Sequence, residues 1–187
     1  MRKVIYALNV SLDGFVEDRD GGLGWALVDE EFHRFANEWE AKMGLHLYGR
    51  RLYETMRYWE TADSNPASAP WEVEYARIWQ RTPHIVFSRT LDSVGKGARL
   101  VRDNVADEVA RLKAEPGEAM NVGGPNLAAT FMRLDLIDEY QVYVHPVILG
   151  GGKPMFAELD TPLQLRLIET HTFSSGVVWM RYERVAP

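Results

Sequence analysis

The chain has no cysteine in its 187 residues. That excludes disulfides, a thiol nucleophile and any cysteine-held metal. It has no long apolar run either. The opening Lys3–Val10 stretch is apolar but too short to cross a membrane, and Asp13 soon interrupts it, so it reads as a buried first strand. No run of five Lys or Arg occurs, and a net charge of −6 with a pI near 5.4 speaks against nucleic acid as a partner. The P-loop pattern, the G-x-G-x-x-G fingerprint and H-E-x-x-H are all missing. The five histidines, at 33, 46, 84, 145 and 171, show no metal-ligand spacing, and Ser174 and Ser175 lack the glycines of a nucleophile elbow. What remains is a single domain over residues 1–187, expected to be cytoplasmic, that acts on or binds a small molecule without a metal.

The segments that are present alternate between strand and helix. Lys3–Val10, Leu45–Tyr48, His84–Ser88, Ala98–Val101 and Ala119–Val122 read as strands. Helices are expected over Asp29–Met43, with Phe32, Phe35, Ala36, Trp39 and Met43 on one face, and over Arg51–Tyr58, Trp71–Gln80 and Val105–Lys113. Glu60–Pro70 reads as loop. Glu139–Val147, Leu163–Thr172 and Val177–Val185 alternate as strands, and Ser174-Ser175-Gly176 joins the last two as a hairpin. The pattern predicts an α/β fold with a mostly parallel sheet and an antiparallel C-terminal edge. Ligands in such sheets sit beyond the C-terminal ends of the strands.

The motifs cluster at those ends. Met120-Asn-Val-Gly-Gly-Pro-Asn-Leu127 stops a strand at two glycines and turns into a helix whose residues include Leu127, Ala128, Phe131 and Met132. Such a turn lets backbone approach a ligand and aims free N–H groups at an anion. Its plainer reading is a tight packing turn. Leu47-Tyr-Gly-Arg-Arg51 repeats the pattern with two arginines, which oppose the helix dipole unless an anion or Glu54 pairs with them. Phe87-Ser-Arg-Thr90 ends a strand in two hydroxyls and a guanidinium, a set that suits a phosphomonoester. Ser11-Leu-Asp-Gly14 places Asp13 after the first strand, either at a substrate or merely in a turn. Asp29 and Glu30 open a helix, where acids also serve as caps.

Taken in order, N-V-S-L-D-G-F-V-E-D, L-Y-G-R-R-L-Y-E, H-I-V-F-S-R-T-L, M-N-V-G-G-P-N-L and V-H-P-V-I-L-G-G-G-K-P-M-F resemble the dihydrofolate reductase family. They are most similar to stand-alone proteins like the reductase half of the riboflavin-pathway deaminase–reductase. The resemblance implies a three-layer fold around a twisted, eight-stranded, mostly parallel sheet that binds NADPH. It implies that Gly49, Arg50 and Arg51 hold cofactor phosphates, and that Ser88 and Arg89 meet the adenosine 2′-phosphate. Gly123, Gly124, Pro125 and Asn126 would meet the pyrophosphate. It places the nicotinamide near the first strand, facing a pocket edged by Asp13, Trp25 and the Asp29 helix. Asp13 is then the expected substrate contact, and Glu30, with Asp29 beside it, the expected proton source. The implied activity is hydride transfer to a pterin- or aminouracil-like heterocycle or a carbonyl; the alternative is a nucleotide- or pterin-binding module without turnover. Leu52 stands where dihydrofolate reductases carry a phosphate-binding threonine, and Thr82 about where they carry a folate-binding arginine, which points away from folate itself. The resemblance further implies a homodimer.

Overall fold

The computed structural model describes residues 1–185. Its strands are β1 (Val4–Ser11), β2 (Phe15–Glu17), β3 (Met43–Gly49), β4 (His84–Phe87), β5 (Ala98–Val101), β6 (Ala119–Gly123), β7 (Glu139–His145), β8 (Lys153–Pro154), β9 (Leu165–Thr172) and β10 (Val178–Arg184). The helices are α1 (Glu30–Glu40), α2 (Arg50–Met56), α3 (Pro70–Arg81), α4 (Val105–Ala114) and α5 (Pro125–Arg133). Eight strands form one sheet in the order β5-β4-β3-β6-β1-β7-β10-β9. The first six of these run parallel, and β10 enters antiparallel between β7 and β9. The α/β class, the mostly parallel sheet and the antiparallel C-terminal hairpin are as the sequence predicts.

Alternation along each strand divides the residues between two faces. Val4, Tyr6, Leu45, Leu47, Ile85, Phe87, Met120, Val122, Tyr140 and Val142 point to one face and pack on Val109 and Leu112 of α4 and on Leu127, Phe131 and Met132 of α5. The other face lies under α1, α2 and α3. Near β10 it is aromatic, with Phe32 packed on Tyr143 and Phe173, and Phe35 and Trp39 on Trp179. Further in, it turns polar. His84, His46 and Asn121 stand in one row across the sheet, because β3 pairs His46 with both His84 and Asn121. Sheets of this kind bury hydrophobic strands on both faces, so a polar row at the centre marks a site.

Three elements differ from the sequence-based expectation. The first helix ends at Glu40 rather than Met43, since Met43 already belongs to β3. Residues 60–70 hold a short 3-10 turn, Ala62–Ser64. Strands β2 and β8 form a separate two-stranded sheet. They are too short for periodicity to reveal, and glycine makes them possible. A Cβ on Gly152 would lie 2.0 Å from the carbonyl oxygen of Glu17, so no other residue lets the two strands meet there. Among the described residues, no helix is long and apolar enough to cross a membrane.

Candidate active site

A cavity of about 390 Å³ opens on the polar face. Ile5, Ala7 and Asn9 of β1, Asn121 and Gly123 of β6, and Gln141 and Tyr143 of β7 form its floor. Glu40 and Ala36 of α1, Leu52 and Met56 of α2, Tyr75 of α3, and Trp59 form its walls, and Leu23 and Val28 close one side. The lining is mostly apolar with a few convergent polar groups, as small-molecule sites are.

Two helices start at the rim. Gly49 caps α2 and Gly124 caps α5, and neither cap uses a side chain. Gly124 has φ +89°, which a glycine adopts without strain. The two turns touch: a Cβ on Gly49 would lie 3.5 Å from Leu127 Cβ, and one on Gly124 would lie 3.4 Å from Leu52 Cβ. Parallel pairing of β3 with β6 causes this, because both strands end at the same level, Tyr48 opposite Gly123. Gly49, Gly123, Gly124, Pro125 and Asn126 are thus brought together, with two positive dipole ends and their free amides side by side. Arg50 and Arg51 are exposed on α2, and among the described residues neither has an ion-pair partner. Ser88 and Arg89 follow β4, the strand beside β3, so they lie at the same end of the sheet. There Ser88 Oγ accepts from the amides of Thr90 and Leu91, at 3.2 and 3.1 Å, and Arg89 pairs with Asp103 at 3.1 Å. With 81% of its side chain exposed, Arg89 is available to a ligand.

The three predicted acids stand elsewhere, and each has a structural task. Asp13 lies outside the cavity lining and latches two loops. One oxygen accepts from Ser11 Oγ at 2.7 Å and Leu149 N at 3.1 Å, and the other from Gly150 N at 2.7 Å. The Ser11 hydroxyl, and after it these amides, hold its carboxyl below the usual range. Asp29 caps α1, accepting from Phe32 N at 2.9 Å. Glu30 is a surface residue paired with Arg34 at 2.8 Å. Asp13 thus serves a turn, Asp29 a cap and Glu30 a surface ion pair, and none of the three lines the cavity.

The carboxylate that faces the cavity is Glu40, in the last turn of α1, with 18% of its side chain exposed. Oε1 accepts from Asn121 Nδ2 at 2.7 Å and Oε2 meets His46 Nε2 at 2.9 Å. Burial, and after it the Glu40 charge, push the phenols of Tyr48 and Tyr143 up, and Tyr75 likewise, so all three remain neutral. Asn121 is 9% exposed, and its Oδ1 has no partner among the described residues. A buried acceptor without a donor costs about 1–3 kcal/mol, which a ligand N–H in the cavity would remove. The sequence held a signal for Glu40. Phe32, Ala36 and Glu40 are four residues apart, which puts an acid on the apolar stripe of the helix. His46 and Asn121, polar inside otherwise apolar strands, were the second signal.

Known proteins share the family and the fold of this chain. Residues 2–179 match the RibD C-terminal domain. The uncharacterized protein YyaP of Bacillus subtilis (strain 168) is 35% identical over 184 residues, 97% of this chain and 94% of that protein. A Shewanella sp. PV-4 protein named for riboflavin biosynthesis superposes with a TM-score of 0.75 at 24% identity, covering 100% of both chains. The dihydrofolate reductase of Enterococcus faecalis, solved with NADP(H), superposes with a TM-score of 0.65 at 15% identity, over 97% of this chain and 96% of that one. The structural likenesses give the fold, and the sequence match gives the family: this chain belongs to the RibD C-terminal domain family.

Proposed function

We propose that the protein is an NADPH-dependent reductase that delivers hydride to the C=N or C=O of a small heterocycle of the pterin or aminouracil kind. The observation that carries this reading is the pair of bare helix N-termini, at Gly49 and Gly124, on the rim of the cavity. Two adjacent anion-binding ends with Arg50 and Arg51 beside them suit a pyrophosphate. Bound there, the cofactor supplies the hydride. The chain's own residues hold its phosphates, present a flat apolar floor at Ile5 and Ala7, and keep water from the acceptor with Trp59, Tyr75 and Tyr143. Family membership and the NADP(H) complex of the dihydrofolate reductase relative support the choice of cofactor.

Leu52 favours a second reading, a binding module without turnover. Its side chain fills the space above Gly123, where an added Cβ would lie 2.5 Å from Leu52 Cδ2, and it brings no hydroxyl to a phosphate. NADPH oxidation in the presence of 6-methyl-7,8-dihydropterin or a ribosylaminouracil separates the two readings; binding with no oxidation supports the second.

Calorimetry should show NADPH bound at least tenfold more tightly than NADH, since a phosphate contact is worth ~1.5–3 kcal/mol. Arg89→Ala should remove most of that difference and leave NADH affinity unchanged. Equal affinities in the parent protein would reject the 2′-phosphate assignment. Gly124→Val and Gly124→Ala share the strain of a positive φ, about 1–2 kcal/mol. Both should melt cooperatively, but Val should lose more NADPH affinity than Ala because its larger side chain takes more of the space at the turn, beside Leu52. Equal affinity in all three proteins would make the turn a packing feature. We further propose a homodimer. Strand β9 lies at the sheet edge with Leu167 and Ile168 exposed. Light scattering at micromolar concentration should give twice the 21.4 kDa chain mass, and a 21.4 kDa particle would reject the dimer.

A further inference from the structure

Glu40 is the end of a buried file that continues away from the cavity. His46 Nε2 meets Glu40 at 2.9 Å, and His46 Nδ1 meets His84 Nδ1 at 3.3 Å. The His84 ring stacks on Trp79 at 4.3 Å. His46 and His84 are 1% and 5% exposed. The groups around the file are few. Tyr48 of β3, Tyr75 of α3, Tyr143 of β7 and Asn121 of β6 face Glu40, while Tyr48 and the Glu60 carboxylate lie near His84. Burial pushes the His84 imidazole down to about 4, so it is neutral at ordinary pH.

With Glu40 a carboxylate and both rings neutral, these contacts admit one arrangement of the protons. A carboxylate at Glu40 needs a donor at His46 Nε2. A neutral His46 that donates there leaves Nδ1 bare. Two bare Nδ1 atoms 3.3 Å apart would repel, so His84 carries its proton on Nδ1 and donates it to His46. The file then reads His84 Nδ1–H to His46 Nδ1, and His46 Nε2–H to Glu40 Oε2. It leaves Glu40 Oε1, beside Asn121, turned to the cavity.

We propose that Glu40 is the acid that protonates the hydride acceptor, and that His84 is its positioning residue, acting through the tautomer of His46. This rests on the reductase reading above. As hydride from the reduced nicotinamide adds to the carbon of the C=N or C=O, the double-bond electron pair moves onto nitrogen or oxygen. That atom takes the proton from Glu40, an O–H bond breaks as an N–H or O–H bond forms, and Glu40 remains as the carboxylate. After product leaves, a proton from bulk solvent, relayed by water entering the cavity, returns to Glu40 Oε1, and its conjugate base stays in solution. Without His84, His46 is free to carry its proton on Nδ1 and to turn a bare Nε2 toward Glu40. The bare nitrogen repels the carboxylate, so Glu40 holds its proton more tightly.

The test begins without substrate. Nitrogen-15 spectra of the parent protein should show His46 protonated on Nε2. In a carbon-13 titration the Glu40 midpoint should move up by about one pH unit in His84→Phe, a tenfold change in proton affinity. His84→Asn, which places an amide N–H where Nδ1–H stood, should restore it. A parent His46 protonated on Nδ1, or a Glu40 midpoint unmoved in both variants, overturns the positioning role. If His84→Phe does not fold, the parent tautomer and the Asn variant still decide. Glu40→Gln should cut NADPH oxidation with 6-methyl-7,8-dihydropterin or a ribosylaminouracil by at least ~100-fold, with NADPH affinity unchanged by calorimetry. Parental turnover in that variant overturns the acid role. A parent that binds NADPH and reduces neither probe also overturns it. A parent that does not bind NADPH overturns the reductase reading with it, while the tautomer spectra still decide the file.

Discussion

Arg181→Met should lower the unfolding free energy by ~3–5 kcal/mol, because it strands a buried charge. Glu139, on β7, is 1% exposed. Its oxygens accept from Arg181 Nε at 2.8 Å and Nη2 at 3.1 Å, and from Gln141 Nε2 at 3.0 Å. Burial alone would push its carboxyl up; Arg181 first and Gln141 next more than offset this and hold it below the usual range. With Arg181 gone, the Gln141 amide still donates, but the only cation left among the described residues is Lys3, at 3.7 Å and half in water, and exposed cations contribute little. The loss comes from the orphaned carboxylate rather than from the pair itself. Hence Arg181→Met combined with Glu139→Gln should recover most of the stability. Urea denaturation of the two single variants and the double variant decides this. A single-variant loss under ~1 kcal/mol, or a double variant no better than the single, would reject it. The effect reaches the site as well: Glu139 holds the Gln141 amide, and Gln141 lines the cavity. The single variant should therefore weaken NADPH-site ligands beyond what its stability implies.

The fold was legible because its signals are local. Strands of the parallel sheet are continuous apolar runs, and α1 shows its apolar stripe from Phe32 to Trp39. The glycine turns at Gly49 and Gly124 announced both helix starts, and the structure puts them side by side. The acid was not legible by the same route. Asp13 follows the first strand and Asp29 and Glu30 open the first helix, and at those positions turns, caps and i,i+4 pairs compete for a carboxylate. Glu40 follows no motif. What marks it is an acid in a place reserved for apolar residues, and its partners arrive from β3 and β6, 6 and 81 residues away in sequence. Only the cross-strand register that aligns His46 with Asn121 and His84 assembles them. The β2–β8 pair was hidden for another reason: short strands have no period to read, and their only trace is the glycine at 152.

Acid should destabilise this protein well above the carboxylate range. Two buried imidazoles are kept neutral by the fold. His84 and His145 are each pushed down to about 4, chiefly by burial. In the unfolded chain both titrate near ~6.5. Between pH 6.5 and 4 the unfolded chain therefore binds more protons than the folded one, so stability falls as pH falls through that window. Below about 4 the folded imidazoles protonate too, and their share of the slope ends. Going from pH 7.5 to 5.0 should cost ~2 kcal/mol for each imidazole, ~4 kcal/mol together. The carboxyls held low, such as Asp13 and Glu139, add their losses only at lower pH, as they too protonate. Urea titrations at pH 7.5 and 5.0 measure the difference, and its slope with pH should approach two protons. A change under ~1 kcal/mol would mean that the folded protein lets these rings charge. His145 gives the loss a functional edge. Its Nδ1 accepts from Leu27 N at 3.0 Å, its Nε2 donates to Asn9 Oδ1 at 3.1 Å, and Trp25 packs on its ring. A proton on Nδ1 would face the Leu27 N–H and break that anchor. The segment released carries Leu23 and Val28, which close one side of the cavity, so NADPH affinity should fall steeply as pH approaches 4. His145→Gln should halve the stability slope while leaving the His84 share intact.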